Sequence, residues 1–187
     1  GIHSSLLLDV IKNPLQFISE GFEDYYTFEY SDIIYFKNSL VYVINFRQKD
    51  FIKYSLYQGQ IYINIEDLAI LAIDFELNPR YIRKEASSFF VKKSPDIKLM
   101  VPTKAIYHTE YRKTSGKYHL SMVQGEVTFR VRKKRQLIGS NFQVAIEMAV
   151  TDVQPGKKVR INRKEQVRPG TILSEEEFRH DPDFWKG

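Results

Sequence analysis

The sequence predicts a mainly β protein, built as a curved antiparallel meander sheet, a half barrel, with one or two short helices. Aromatic residues make up 14% of the chain, with 12 Tyr and 13 Phe, and such side chains favour the pleated, half-buried surface of a sheet. From Tyr26 onward, apolar residues alternate with a period near two and are separated by short polar turns. About nine strands in hairpin order are therefore expected.

The chain divides into three predicted parts. Residues 1–25 form a short helical segment that packs on the sheet, and Pro14 prevents one long helix there because it lacks a backbone N–H. Residues 26–154 form the antiparallel β domain. Residues 155–187 form an extended, charged C-terminal tail. The total of 187 residues suits one domain, and the leading Gly1 suggests a chain trimmed from a longer one.

The first predicted strands follow one another closely. They are YTFEYSDIIYF at 26–36, LVYVINFRQ at 40–48, FIKYSLYQ at 51–58, an isoleucine ladder at 61–65 and a mixed apolar ladder at 71–77. Glu66 and Asp67 separate the two ladders, which is the pattern of a β-hairpin.

The second half predicts two long strands and a final short one. Residues 79–97 fit either a helix or an extended segment, and Pro95 and Pro102 bracket the short apolar run that follows. Strands at 105–113 and 117–135 are joined by a turn at 114–116. The apolar parity changes along 117–135, so we expect a bulge near Gly125. The last strand covers 142–150.

Composition excludes several classes of protein. The chain has no cysteine, which excludes a disulfide scaffold and a thiolate metal site. No apolar run reaches the roughly 18 residues of a membrane span. No sequence motif for a nucleotide, a nucleophilic serine or a zinc protease is present. We therefore expect no enzyme activity, no cofactor and no metal.

Two weaker site hypotheses come from titratable residues. His108 and His119 flank the turn at 114–116, but two ligands are too few for a metal site. Asp74 and Glu76 share one face of a strand, and such a carboxylate pair could hydrolyse a glycoside if it lay in a concave pocket. A solvated strand face is the simpler interpretation.

The net charge of +5 is concentrated near the C-terminus. Residues 126–168 contain 11 basic and 4 acidic residues, a formal charge of +7. Arg130, Arg132, Lys134 and Arg135 could bind a polyanion or an oligonucleotide through this strand end. Because Phe129 alternates with the arginines, cations and stacking rings lie on opposite faces, which argues against nucleic acid.

The order of these segments resembles that of a known protein group. The segments are DIIYFKNSLVYVINF, LYQGQIYINIEDLAILAIDFEL, VPTKAIYHTEYRKTSGKYHLSMVQGEVTFRVRKKR, FQVAIEMAVTDV and DPDFW. Together they resemble the region that follows the regulatory domain in Bacteroidetes envelope proteins with a carboxypeptidase-like regulatory domain. The strand series is also similar, at fold level, to the half-barrel sheet of LolA/LolB-like periplasmic lipoprotein carriers.

The resemblance implies a location and a class of ligand. It implies a noncatalytic module in the periplasm or at the outer membrane, whose sheet binds an apolar or amphiphilic ligand, such as a lipid or a lipoprotein acyl chain, or a partner envelope protein. The apolar residues expected to line that site are Ile61, Ile63, Ile73, Phe75, Phe129, Val144 and Ile146. The alternative interpretation is that these residues form a filled core.

Overall fold

The computed structural model describes residues 7–89 and 94–154, without the side chains of residues 87 and 88. Within these ranges seven antiparallel strands form one sheet in the order β1 to β7. The strands are β1 (Tyr26–Phe36), β2 (Ser39–Gln48), β3 (Tyr57–Asn64), β4 (Ile70–Leu77), β5 (Ile97–Thr114), β6 (Lys117–Lys133) and β7 (Ser140–Ala149). The remaining regular elements are the 3₁₀ turns η1 (Gln16–Ile18), η2 (Phe22–Asp24) and η3 (Ile82–Phe89).

Two tight turns set the register of the longest hairpins. Lys37 and Asn38 join β1 to β2 with φ of 45° and 68°, and Ser115 and Gly116 join β5 to β6 with φ of 51° and 78°. Positive φ at both central residues matches the right-handed twist of the paired strands. Asparagine and glycine accept this conformation at low cost, so the local sequence favours both hairpins.

One face of the sheet carries the core, and the N-terminal segment covers it. Phe17 in η1 is fully buried, and its ring stacks on Phe46 with centroids 4.2 Å apart. Ile61, Ile73 and Phe75 belong to the same buried cluster. Burial of Phe17 and Val10, with Leu8, Leu15 and Ile18 packed against the core cluster, keeps a segment with so little regular structure on the sheet.

The predicted fold class is confirmed: the protein is mainly β, an antiparallel meander whose helical elements, in the part of the chain that the structure describes, are short 3₁₀ turns. The sheet is open and uncurled, with β1 and β7 as its edges, where a half barrel was the expected form.

Several expected details differ from the structure. The predicted strand at 51–58 is wrong except for its last two residues, because β3 begins at Tyr57. The bulge in β6 exists but lies near Ser121 rather than Gly125, since Glu110 pairs with Met122 and Tyr111 with Leu120. The helix-tolerant region gives η3, a 3₁₀ element interrupted at Glu85. The expected C-terminal tail at 155–187 lies outside the described residues.

Pro102 does not interrupt the strand in which it lies, because β5 continues on both sides of it. The described partners of β4 on β5 are residues 106–110 only, so the start of β5 has β6 as its neighbour on one side. A proline without an N–H is tolerated where a strand is unpaired on one side. A register shift between Pro102 and Lys104 absorbs the remaining distortion.

Candidate functional site

A row of polar side chains crosses the face of the sheet opposite the core. Successive strand pairings connect seven residues, one from each strand: Glu29, Asn45, Gln60, Asp74, His108, Gln124 and Glu147. Side chains in register on one face are close neighbours. The meander therefore builds a continuous polar ladder, which we call the seven-residue row.

The seven-residue row forms the floor of a trough of about 890 Å³. Further polar side chains line it along one side of the row: Thr27, Arg47, Gln58, Glu76 and Glu126. The lining includes five carboxylates and one arginine, so the trough is acidic although the chain as a whole carries +5.

Histidine 108 is held between two carboxylates at the centre of the trough. Its Nδ1 lies 2.6 Å from Asp74 Oδ1, and its Nε2 lies 2.9 Å from Glu110 Oε1. The Lys37 ammonium group in the β1–β2 turn also donates to Glu110. This chain of contacts joins β4 and β5 to the tip of the first hairpin.

The tip of the first hairpin packs against the network around His108. Phe36, the last residue of β1, stacks on Tyr62 of β3 with ring centroids 5.4 Å apart. The Tyr62 hydroxyl lies 2.8 Å from Asp74 Oδ2 and 3.0 Å from Gln60 Oε1. The hydroxyl has one proton to donate, and we assign that hydrogen bond to the Asp74 carboxylate, because hydrogen bonds to charged acceptors are stronger.

Hydrogen bonds within the trough shift the pKa of its charged groups. The hydrogen bond from His108 lowers the pKa of Asp74, and the hydrogen bond to Asp74, with a further one to Glu110, raises the pKa of His108 against the effect of burial. Burial of Glu110 is outweighed by Lys37 and His108, so its pKa is also lowered. Burial, helped by Asp74, raises the pKa of Tyr62 to about 12. Together these groups form an ion-paired network.

The carboxylate pair of the hydrolase hypothesis lies in the trough, because Asp74 and Glu76 both line it. Asp74 is engaged by His108 and Tyr62, and Glu76 accepts a hydrogen bond of 2.8 Å from Gln58. A general acid for glycoside hydrolysis needs a raised pKa. The lowered pKa of Asp74 suits it to ion pairing and not to proton donation.

A second cavity, which we call the apolar cleft, lies on the core face. It measures about 660 Å³ and runs between the N-terminal segment, η3 and strands β5 to β7. Its apolar lining consists of Leu8, Leu15, Leu77, Phe89, Val123, Val127, Phe129, Val144 and Ile146. The polar groups on its wall include Gln16, Ser55, Tyr57, Glu85 and Tyr107.

The residues expected to line an apolar site divide into two groups. Ile61, Ile73 and Phe75 are buried in the core cluster, and the partly buried Ile63 packs against it. Phe129, Val144 and Ile146 line the apolar cleft, where Val144 is 37% exposed. The first group fills the core, and only the second reaches an open cavity.

The basic strand end lies beyond the trough on the same face of β6. Arg130 and Arg132 share the parity of Glu126, and Arg130 donates a hydrogen bond of 3.3 Å to Asn141. Lys134 and Arg135 are exposed in the turn that follows β6. Glu126 and its ion pair with Lys104, at 3.2 Å, separate these cations from the centre of the trough.

The two histidines of the metal hypothesis are not cross-strand neighbours. His108 pairs with Gln124, whereas His119 pairs with Arg112. Across residues 7–89 and 94–154, no group of three or more histidines and carboxylates is arranged to hold a metal ion.

Sequence patterns did not reveal the seven-residue row. Alternation placed Asp74 and Glu76 on one face of their strand, but it gives no cross-strand register. The available signal is the recurrence of a polar outward residue at the middle of each strand. Only the observed pairings align these residues into one line.

The described part of the molecule is thus an open, single-sheet β protein with an acidic polar trough on one face and an apolar cleft on the other. Comparison with protein-family models, with curated proteins and with solved structures found no match to this chain. Within the described ranges, no helix has the length and hydropathy needed to cross a membrane.

Proposed function

We propose that this protein is a noncatalytic cell-envelope β module that binds an amphiphilic ligand, a lipid or the acyl chain of a lipoprotein, in the apolar cleft. The observation that carries the proposal is the cleft itself. Its volume of about 660 Å³ falls within the roughly 300–1,000 Å³ of ordinary ligand pockets.

The wall of the cleft suits an amphiphile better than a purely apolar ligand. Phe129, Val144 and Ile146 supply apolar contact on β6 and β7. Tyr57 and Tyr107 supply hydroxyl groups whose pKa is raised by burial, so these groups stay protonated and can donate hydrogen bonds. Apolar walls with a few oriented polar groups are the usual composition of a small-molecule site.

The envelope location forms part of the proposal and rests on the sequence resemblance described above. It is tested by fractionating a bacterium that expresses the complete gene with an epitope tag. We expect the tag in the periplasmic or outer-membrane fraction, and recovery in the cytoplasm would contradict this location.

Ligand binding is tested by native mass spectrometry of the protein purified from its own envelope, combined with displacement of N-phenyl-1-naphthylamine by monopalmitoylglycerol. Val144→Trp places a large ring in the cleft from β7 and should weaken binding of the dye about tenfold or more. Leu137→Trp is the matched control, because Leu137 lies in the β6–β7 turn and is 95% exposed.

Three results would contradict the proposal. One is the absence of a copurified lipid together with no dye binding by the wild-type protein. Another is dye binding that Val144→Trp leaves unchanged. The third is an equal loss of binding in Leu137→Trp, which would mean that the dye occupies another surface.

A further inference from the structure

The trough, which lies on the face of the sheet opposite the apolar cleft, presents both hydrogen-bond donors and hydrogen-bond acceptors. Gln58 Nε2 donates to Glu76, and Gln124 Nε2 donates to Glu147 over 3.3 Å. An amide nitrogen carries two N–H groups and a carboxylate oxygen accepts more than one hydrogen bond. Each of these pairs therefore keeps both donor and acceptor capacity for a ligand.

This mixture discriminates between classes of ligand. A hydroxyl group donates one hydrogen bond and accepts others, so a polyhydroxylated ligand can satisfy amides and carboxylates together. An ammonium group only donates, so it would pair with the carboxylates but not with the spare amide N–H groups. A polyanion would be repelled, because five carboxylates and a single arginine line the trough.

The shape of the trough indicates an extended ligand. The seven-residue row crosses every strand of the sheet, and adjacent strands lie roughly 4.8 Å apart, so its length is about 29 Å. Several polar groups along this length are already fixed by their neighbours. Gln60 Nε2 lies 2.9 Å from Asn45 Oδ1, and His108 is held by Asp74 and Glu110. Preorganised groups lose little entropy when a ligand binds.

We infer that the trough is a second binding site, and that it takes a linear, neutral, hydroxyl-rich chain of the oligosaccharide class. The ligand lies across the strands and follows the seven-residue row. Amides and carboxylates contact its hydroxyl groups. Tyr62, whose hydroxyl contacts Asp74 and Gln60 of the row, stacks on Phe36, so we expect recognition to depend on hydrogen bonds more than on ring stacking. We expect a modest affinity, with Kd of about 0.1–1 mM, because desolvation of polar groups offsets much of the gain.

The inference is tested by ¹H–¹⁵N NMR titration of the whole chain with defined probes. The probes are cellohexaose, maltohexaose, laminarihexaose, mannohexaose and xylohexaose, each with its disaccharide. Hexalysine and hexagalacturonate represent the cationic and anionic alternatives. We expect at least one neutral hexasaccharide to shift amide resonances on β3 to β7 at the row, and to bind several-fold more tightly than its disaccharide.

Site-directed variants connect binding to the trough. The double variant Gln58→Ala/Gln124→Ala removes two amides on the solvent-facing side of the sheet and should raise Kd about tenfold. Gln143→Ala/Gln154→Ala removes two exposed amides outside the trough lining and should leave Kd unchanged. Far-UV circular dichroism establishes that both variants fold.

The inference is overturned if no neutral hexasaccharide, at about 10 mM, shifts the amide resonances of residues in the seven-residue row. It is also overturned if only hexalysine or only hexagalacturonate binds, or if both double variants weaken binding equally. Because the apolar cleft lies on the other face, failure of lipid binding leaves this result unaffected, and the two proposals are separable.

Discussion

Histidine 108 lies between two carboxylates of the trough network. Its contacts with Asp74 and Glu110 raise its pKa above the ordinary value of 6.5. A group whose pKa is raised by folding stabilises the folded state while it is protonated in that state. This contribution is complete below about pH 6.5 and is lost as the pH rises through the higher folded pKa.

We predict that His108→Gln destabilises the protein more at about pH 5.5 than at about pH 8.5. The measurement is urea denaturation of wild type and variant at both pH values. In an Asp74→Asn background the pH dependence of the effect of His108→Gln should shrink, because the main partner of the imidazolium has been removed. A constant difference between wild type and variant at both pH values would contradict this interpretation.

The same network stabilises the folded state less at low pH. The pKa values of Asp74 and Glu110 are lowered in the folded state, so their contribution is present above the ordinary carboxylate range of about 4 and is lost as the pH falls through the folded pKa values. The network therefore contributes most between about pH 5 and about pH 6.5.

Glycine 59 is required by the close approach of β3 and β4. A Cβ at this position would lie 1.9 Å from the carbonyl oxygen of Asp74 and 2.8 Å from Cα of Phe75. Because both atoms belong to the backbone, the strands themselves would have to move. We predict that Gly59→Ala destabilises the protein by about 1–3 kcal/mol, measured by urea denaturation.

Gly125→Ala is the matched control for this prediction. Its Cβ would meet only the Tyr107 ring, at 3.2 Å, and a side chain can rotate slightly where a backbone cannot. The loss of unfolding free energy in Gly125→Ala should be clearly smaller than in Gly59→Ala. Equal effects at the two glycines would show that loss of glycine as such, and not the backbone contact, determines the result.

At the scale of elements, η1 depends on one side chain. The Phe17 ring lies within 6.2 Å of the rings of Phe46, Tyr26, Tyr57 and Phe75, measured between centroids. We predict that Phe17→Ala costs about 3–5 kcal/mol of unfolding free energy. Phe22→Ala in η2 should cost much less, because Phe22 is 38% exposed and, among the described residues, its ring contacts only that of Phe28. Similar losses in the two variants would contradict this assignment.

Elements with strong alternation could be predicted from the sequence, and elements that depend on distant partners could not. The strands at 26–36 and 142–149 and the turns at 37–38 and 115–116 follow from local patterns. The strand expected at 51–58 failed because Ile52 and Leu56 are buried in the core from a loop. Apolar spacing alone does not distinguish such a loop from a strand.

The candidate site was less predictable than the fold. Each outward polar residue could be inferred within its own strand. The seven-residue row requires six pairings in register, and bulges at Tyr30, Tyr62 and Glu110 shift those pairings. One extra residue moves a side chain to the other face, so the errors of sequence reasoning accumulate across the sheet.

At the scale of the whole molecule, the open sheet leaves two edges. Within the described residues, β1 pairs only with β2 and β7 only with β6. Exposed edges present unpaired N–H and C=O groups to other chains unless lysine, proline or a bulge protects them. β1 contains neither lysine nor proline. Its bulge lies after Tyr30, and beyond the bulge the side chains of Ile33 and Tyr35 are 44% and 77% exposed.

We therefore predict that the protein self-associates through β1 as its concentration rises, and that Ile33→Lys/Tyr35→Lys suppresses this association. Two ammonium groups on the edge strand would have to be desolvated and brought together when two β1 edges pair. In sedimentation experiments the wild-type mass should increase with concentration above 22.1 kDa, and the double variant should remain near that mass. Leu137→Lys/Ile138→Lys adds the same charge in the exposed β6–β7 turn and should associate like wild type. A monomeric wild type at all concentrations would show that Glu29, Asp32 and the bulge after Tyr30 already protect this edge. Suppression by both double variants would show that added charge as such, and not the β1 edge, controls association.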